Sequence, residues 1–251
     1  MYFSSSDSGL AYDTNFTYGP TLINNMAAAG FTSVQIMVGN WINGSPTYPG
    51  TRALACRPST AINWVYRNAS INNTGKPFCG TGNSGGAGVL VYGLAHYGLG
   101  SIFSMIEPTS GPPMGDIRGG CLSNYSTTIT NVCGFTSTDQ YDTGTKQTFF
   151  DSGFGSSACS AQNQSFAGSF AHDSEGPVSS DALLNYPATD IHQLFGSMDT
   201  NIADPQGTIW FNAVTSKKAN MCVAGAPHGM ADVLVGEQQI ESDLKTYCKL
   251  Q

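Results

Sequence analysis

Charge is scarce in this chain. Charged residues make up 11% of the 251 positions, less than half of the roughly 25% usual in soluble proteins. Only 10 are Lys or Arg, against 17 Asp or Glu, for a net charge of -7. No basic stripe is left to neutralise a phosphate backbone, so nucleic acid is not expected as a partner. No apolar run approaches the about 18 residues of a membrane-spanning helix, which argues against an integral membrane segment. Met1 leads straight into "YFSSSDSG", without the charged start and apolar stretch of an export signal, so any such signal is expected upstream or already removed. The seven cysteines include no C-x-x-C pair and no histidines at ligand spacing, so no metal site is expected. No internal repeat is evident either.

Gly, Ser, Thr and Asn fill the polar positions that charge leaves open, a profile that suits a secreted protein. With 40% hydrophobic residues the chain can bury a sizeable core, and its length fits a single domain, 1–251. In an oxidising compartment the cysteines (Cys56, Cys79, Cys121, Cys133, Cys159, Cys222, Cys248) read as disulfide partners with one left over. Cys121 with Cys133 would close a loop, and Cys222 with Cys248 would tie a late strand to the last helix. Glycosylation triplets at Asn15, Asn68, Asn72, Asn124 and Asn163 are compatible with a eukaryotic secretory route, although an Asn-rich chain also produces them by chance.

Short apolar, β-rich runs alternate with longer helical ones, the pattern of strand-helix-strand units and a doubly wound, mostly parallel α/β sheet. Strands are expected at 2–5, 33–38, 77–81, 101–107, 191–195 and 220–224. Helices are expected in "GPTLINNMAAAG", in "STAINWVYRNAS" after a Ser or Thr cap, in "GGAGVLVYGLAHYG" up to Gly98, and over 233–249 with Leu234, Ile240, Leu244 and Tyr247 on one face. Residues 109–186 break this rhythm. They are rich in Gly, Ser, Thr and Cys and too long for a plain connection, so a cysteine-stapled cap or lid over the sheet is expected there. The aromatics of "KQTFFDSGFG" and "SFAGSFAH" argue against a disordered linker.

The most informative stretch is "KPFCGTGNSGGAGVLVYGLAHYG", which places Ser84 between a central strand and the helix after it. In a glycine-rich chain the pattern Gly82-Asn83-Ser84-Gly85-Gly86 means little by itself; its position carries the argument. Ligands bind outside the carboxyl ends of parallel strands. A sharp strand-to-helix turn strains the nucleophile's backbone and crowds the residues two places to either side, where Gly82 and Gly86 remove the clash. The pattern resembles the nucleophile elbow of the α/β-hydrolase superfamily, in which the order along the chain is serine, acid, histidine. "LFGSMDT" supplies an apolar strand and then Asp199, and "MCVAGAPHGMAD" supplies a strand, a loop with His228 and a terminal helix. The resemblance implies a secreted serine hydrolase for carboxylic esters, needing no cofactor, in which His228 takes the proton of Ser84 and Asp199 orients the imidazole. It also implies an oxyanion hole from the N–H of Gly85 with a second donor at Ser5 or Ser6; Asp7, in the same loop, would have to point away.

Alternatives stand beside these residues. Asp204, in "ADPQG", reads as a helix cap or as the true acid, and Glu107 ends a strand where the superfamily sometimes carries its acid. His172 rivals His228, while His96 and His192 read as structural. Trp41, Tyr48, Trp64, Met105 and Trp210 offer apolar surface for an acyl or aryl cleft. Trp41 and Tyr48, in the loop "GNWINGSPTYPG", are the better placed; Trp64 and Met105 read rather as core. The low-lysine, acidic surface suits a neutral ester, small or polymeric. A non-catalytic binding domain on the same fold, or a peptidase, are the competing functions.

Overall fold

The computed structural model describes residues 1–5, 11–39, 41–42 and 50–249. Its frame is a six-stranded sheet of β1 (Tyr2–Ser5), β2 (Val34–Gln35), β3 (Cys79–Asn83), β4 (Met105–Thr109), β7 (Asp190–Gly196) and β8 (Lys218–Val223). The order is β2-β1-β3-β4-β7-β8 and every pairing is parallel. The order reverses between β1 and β3, and the crevice at such a reversal, beyond the carboxyl ends of the strands, is where doubly wound folds bind ligands. Ser5 and Asn83 are paired in register beside that crevice.

Apolar residues alternate across the sheet. Met105 joins one core with Leu22 and Met26 of α2 (Gly19–Ala28) and Ile240 and Leu244 of α10 (Leu234–Tyr247). Ile106 joins the other, with α3 (Thr51–Arg67), α4 (Gly85–Tyr97) and α9 (Ala203–Ala213). This is the period of two expected of a strand buried on both faces. Every residue of α4 from Gly85 to Ala95 is buried, so it is apolar on all sides, as a helix enclosed in the core must be. A four-residue helix, α1 (Ala11–Thr14), precedes α2.

Between β4 and β7 run α5 (Ile117–Cys121), a hairpin of β5 (Thr128–Thr130) and β6 (Thr136–Thr138), then α6 (Thr143–Thr145), a π-helical turn Lys146–Asp151, α7 (Ser152–Phe154) and α8 (Ala167–Asp173). Aromatics anchor this segment: the buried rings of Tyr141 and Phe150 stack at 4.3 Å, and half-buried Phe154 meets buried Phe170 edge-on at 4.9 Å.

Several expectations are corrected. The disulfides are Cys79–Cys248, Cys121–Cys159 and Cys133–Cys222, leaving Cys56 exposed. Cys222 and Cys248 do not meet, because a helix returning from a parallel strand ends near the amino ends of the strands, whereas Cys222 lies at the carboxyl end of β8. The 14-residue α10 spans about 21 Å at 1.5 Å per residue, so it delivers Cys248 to the start of β3. The helix around "STAINWVYRNAS" begins earlier, at Thr51, and runs through Pro58. On α10, Ile240 and Leu244 are buried while Leu234 and Tyr247 are exposed. At about 100° per residue Leu234 falls off the buried face, and Tyr247, in the last turn, covers the ring of His192 at 4.0 Å. The strand expected over 33–38 is only Val34–Gln35.

Candidate active site

β3 delivers its last residue into an abrupt turn, and Ser84, the next residue, has φ 55° and ψ -118°. A non-glycine residue at positive φ is strained and persists only where its surroundings hold it. Here the Ser84 N–H donates to Thr109 O at 2.9 Å, and the Ser84 carbonyl accepts from Gly88 N at 3.1 Å. A Cβ at Gly82 would lie 2.4 Å from Gly86 O, so glycine at 82 is what permits the turn. Asn83, between them, accepts from Thr109 Oγ1 at 2.9 Å and from Met230 N at 3.2 Å.

β7 and β8 hold the other two residues. A Cβ at Gly196 would meet Ala226 O at 2.2 Å, so its absence lets the turn after β7 close on the loop after β8. Ser197 N donates to Val223 O, Met198 N to Ala226 O and Gly225 N to Ser197 Oγ, fastening the two loops. On this base Asp199 Oδ2 lies 2.8 Å from His228 Nδ1. Burial pushes the Asp199 carboxyl up, but the hydrogen bond and charge of His228, the Asn201 N–H and the Asp204 side chain outweigh it and hold it below the ordinary carboxylate range. An ionised carboxylate only accepts, so Nδ1 carries the proton and Nε2 is the basic nitrogen. The Asp199 side chain is 1% exposed and that of His228 33%, an arrangement with the acid at the back and the imidazole at the front.

Ser84 and Gly85 line a cavity of about 340 Å³ together with Ile42, Pro113, Met114, Thr145, Thr148, Phe149, Phe150, Asn201 and Ile202. Asp199 and His228 line a neighbouring, more polar hollow of about 670 Å³, which shares Asn201 and Ile202 with the first. The structure thus joins His228 directly to Asp199. No hydrogen bond links Ser84 Oγ to His228, and such contacts are often long in unliganded enzymes.

Among the solved structures similar in fold are one named as a carbohydrate esterase and one named as an α/β hydrolase. A truncated form of a carbohydrate esterase from gut microbiota matches with a TM-score of 0.57 at 15% identity, over 98% of this chain and 85% of that one. Est1E from Butyrivibrio proteoclasticus matches with a TM-score of 0.54 at 10% identity, over 97% and 84%. The chain has the α/β-hydrolase fold. MGS-MChE2, an α/β hydrolase from a lagoon-sediment metagenome of Mar Chica, Morocco, matches that fold with a TM-score of 0.52 at 12% identity, over 97% and 89%. No family model matches the sequence, and no curated protein matches it in sequence.

Within the hydrolase fold the remaining candidates take their places. Gly85 opens α4 beside Ser84 in the cavity. The backbone of Ser5 ends β1 across from Asn83, whereas Ser6, Asp7 and Tyr48 lie outside the described residues. Trp41 is a correction: at 1% exposure it packs in the core against Tyr92, and its neighbour Ile42 meets the cavity instead. Trp210 and Met105 are core residues, and Trp64, expected in the core, is 55% exposed on α3. Glu107 sits inside β4 rather than at its end; burial, with the charge of Asp243, raises its carboxyl well above the ordinary range. His172 has Asp173 on Nδ1 at 2.8 Å and Arg52 on Nε2 at 2.9 Å. His96 Nε2 meets Ser174 O at 2.9 Å, and burial lowers both His96 and His192. The sequence reading missed the tether made by Asn83, the wall formed by Phe149 and Phe150, and the closeness of Asp204 to Asp199. No helix among the described residues is long and apolar enough to cross a membrane.

Proposed function

We propose that this protein is a secreted serine hydrolase that cleaves carboxylic esters through an acyl-enzyme formed on Ser84. The observation that carries the reading is the pairing of Asp199 with His228 on loops fastened beside the β3–α4 elbow, where Ser84 is held at positive φ. His228 Nε2 accepts the Ser84 proton as the hydroxyl attacks the ester carbonyl, then returns it to the leaving alcohol. Asp199 keeps the imidazole in the required tautomer and offsets the imidazolium charge. The N–H of Gly85, at the start of α4, stabilises the oxyanion with a second donor from the end of β1, at Ser5 or Ser6. Water then repeats the cycle on the acyl-enzyme.

Ile42, Met114, Phe149, Phe150 and Ile202 make the cavity beside Ser84 largely apolar, which suits a neutral acyl or aryl group of modest size. Residues 109–186 act as a cap, since Pro113, Met114 and the turn from Thr145 to Phe150 supply much of that wall. Three disulfides support an extracellular setting. The test is labelling with a fluorophosphonate followed by peptide mapping. Ser84 should carry the adduct, and Ser84→Ala should lose both labelling and turnover of p-nitrophenyl esters. Full activity in that variant, or faster cleavage of peptide anilides than of esters, would overturn the reading.

A further inference from the structure

Asp204, in the first turn of α9, is 2% exposed, and the charge of Asp199 acts on it. Its Oδ2 accepts from Asn131 Nδ2 at 3.2 Å, while its enclosed Oδ1 accepts from no described group. The turn after β7 brings the two carboxyls side by side: Asn201 N donates to Asp199 Oδ1 at 2.8 Å and Asp204 N donates to Asn201 O at 3.1 Å. Two adjacent ionised carboxylates repel and neither can donate to the other, so a proton on one of them is what lets them lie together. The neighbours decide which. Asp199 receives His228 Nδ1 at 2.8 Å and Asn201 N at 2.8 Å, both stabilising its charge. Asp204 receives a single amide, from Asn131. The groups acting on Asp204 are Asp199, on the turn after β7, and Asn131, from the β5–β6 hairpin; His228, on the loop after β8, acts through Asp199.

We infer that Asp204 is a positioning residue: a neutral carboxylic acid whose O–H donates to Asp199, fixing the carboxylate that orients His228 and moderating its basicity. The inference deepens the hydrolase reading and rests on it for its kinetic consequence. Burial, and then the charge of Asp199, push the Asp204 carboxyl up from 3.8 to about 9, in agreement with this geometry. The hairpin from the capping segment is part of the device. Asn131 Oδ1 accepts from Cys133 N and Phe135 N to shape the turn, and Cys133 is bonded to Cys222 of β8. The amide that holds Asp204 is thereby fixed to the same strand that leads to His228.

The decisive comparison is Asp204→Asn with Asp204→Ala. A side-chain amide can accept from Asn131 through its carbonyl and donate to Asp199 through its NH2, as the neutral acid does. Asp204→Asn should rescue what Asp204→Ala loses. In Asp204→Ala, kcat should fall about tenfold or more for want of a hydrogen bond to a charged group, with KM little changed. The acidic limb of its kcat/KM profile should move to higher pH as Asp199 becomes more basic. If Asp204→Asn moves that limb to lower pH, a negative charge has been removed and the inference fails; equal losses in both variants, or none in either, also overturn it. A second measurement needs no activity. In Ser84→Ala protein labelled with 13C at the aspartate carboxyls, one resonance should remain at its protonated position at pH 7 and vanish when Asp204→Asn is added. Its absence overturns the inference even if Ser84 is labelled by phosphonate. Its presence upholds the protonated pair even if the labelling, and with it the hydrolase reading, fails.

Discussion

The side-chain oxygen of Asn83 accepts the backbone N–H of Met230 at 3.2 Å, tying the residue before Ser84 to the loop of His228 across 147 positions of sequence. The same oxygen accepts from Thr109 Oγ1 at 2.9 Å. One buried atom thus fixes the spacing between the elbow and the loop that carries the base.

Asn83→Ala leaves the buried Met230 N–H without its acceptor, while the Thr109 hydroxyl keeps Gly82 O at 3.3 Å. Orphaning one such group costs about 1–3 kcal/mol, so urea melts should show a loss in that range. The kcat for a p-nitrophenyl ester should fall further than a stability loss alone explains, because the His228 loop is released. Asn83→Asp, which keeps an acceptor oxygen, should retain more of both. Unchanged melting in the alanine variant would remove Asn83 from this role.

Gly82→Ala tests the elbow without touching a proposed catalytic side chain. A Cβ there would lie 2.4 Å from Gly86 O, backbone that cannot swing away as a side chain does. The start of α4 must shift, carrying Ser84 and the Gly85 N–H with it. A displacement near 1 Å costs about a hundredfold in rate, and phosphonate labelling should slow in parallel. Wild-type labelling in a folded Gly82→Ala protein would show that the close approach is not what shapes the site.

The disulfides should separate stability from activity. Cys79–Cys248 closes a separation of 169 residues, Cys133–Cys222 one of 89 and Cys121–Cys159 one of 38. In the loop-entropy account the first contributes about 5 kcal/mol and the others somewhat less, so paired alanine substitutions should lower Tm in that order. Activity should follow a different order. The Cys133→Ala, Cys222→Ala pair should reduce kcat most relative to its Tm loss, since it frees the hairpin that carries Asn131. Activity losses that simply track Tm would refute the link.

Local features of the site were readable because each is written in consecutive residues. The elbow depends on Gly82, Ser84 and Gly86 within five positions, and Asp199 and His228 each follow an apolar strand directly. Features assembled from distant segments were not. Asn131 and Asp204 lie 73 residues apart in sequence, and nothing in "NVCGF" announces a contact with "ADPQG". The helix α9 is not among the expected helices, although Asp204 reads as a possible cap for one. Pro205 is tolerated because it sits in the first helical turn, and a Cβ at Gly207 would lie 2.4 Å from Gly111 O, so close packing demands glycine inside the helix. Pro58 misled by making Ser59 look like a helix start. Trp41 looked like a cleft residue because its loop leaves the carboxyl end of a strand, yet its ring turns inward to Tyr92.

Ile202 borders both the cavity of Ser84 and the hollow of His228. Truncating it should open one into the other and enlarge the apolar space available to the acyl group. Methylene-sized changes in such a pocket shift relative kcat/KM by about tenfold or more, so Ile202→Ala should move preference toward longer or bulkier acyl chains, read from a series of p-nitrophenyl esters. An unchanged chain-length profile would place the acyl group elsewhere.

Asp204 also predicts how stability varies with pH. Its folded pKa is about 9 against an ordinary 3.8, so between these values the folded chain holds a proton that the unfolded chain has lost. The stability linked to it is full below about pH 4 and is lost as pH rises through 9. Fully buried Glu107 and Glu175 are raised too and act in the same direction. His96 and His192, lowered from 6.5, and the Met1 amino group, lowered from 8.0 to about 6, act in the opposite direction until their unfolded values are passed. A difference measurement cancels all of these. The unfolding free energy of the wild type minus that of Asp204→Asn should decline by about 1.4 kcal/mol per pH unit between pH 5 and 8, the linkage of one proton. Parallel curves for the two proteins would mean that Asp204 is already ionised at pH 5, and the neutral donor to Asp199 would not exist.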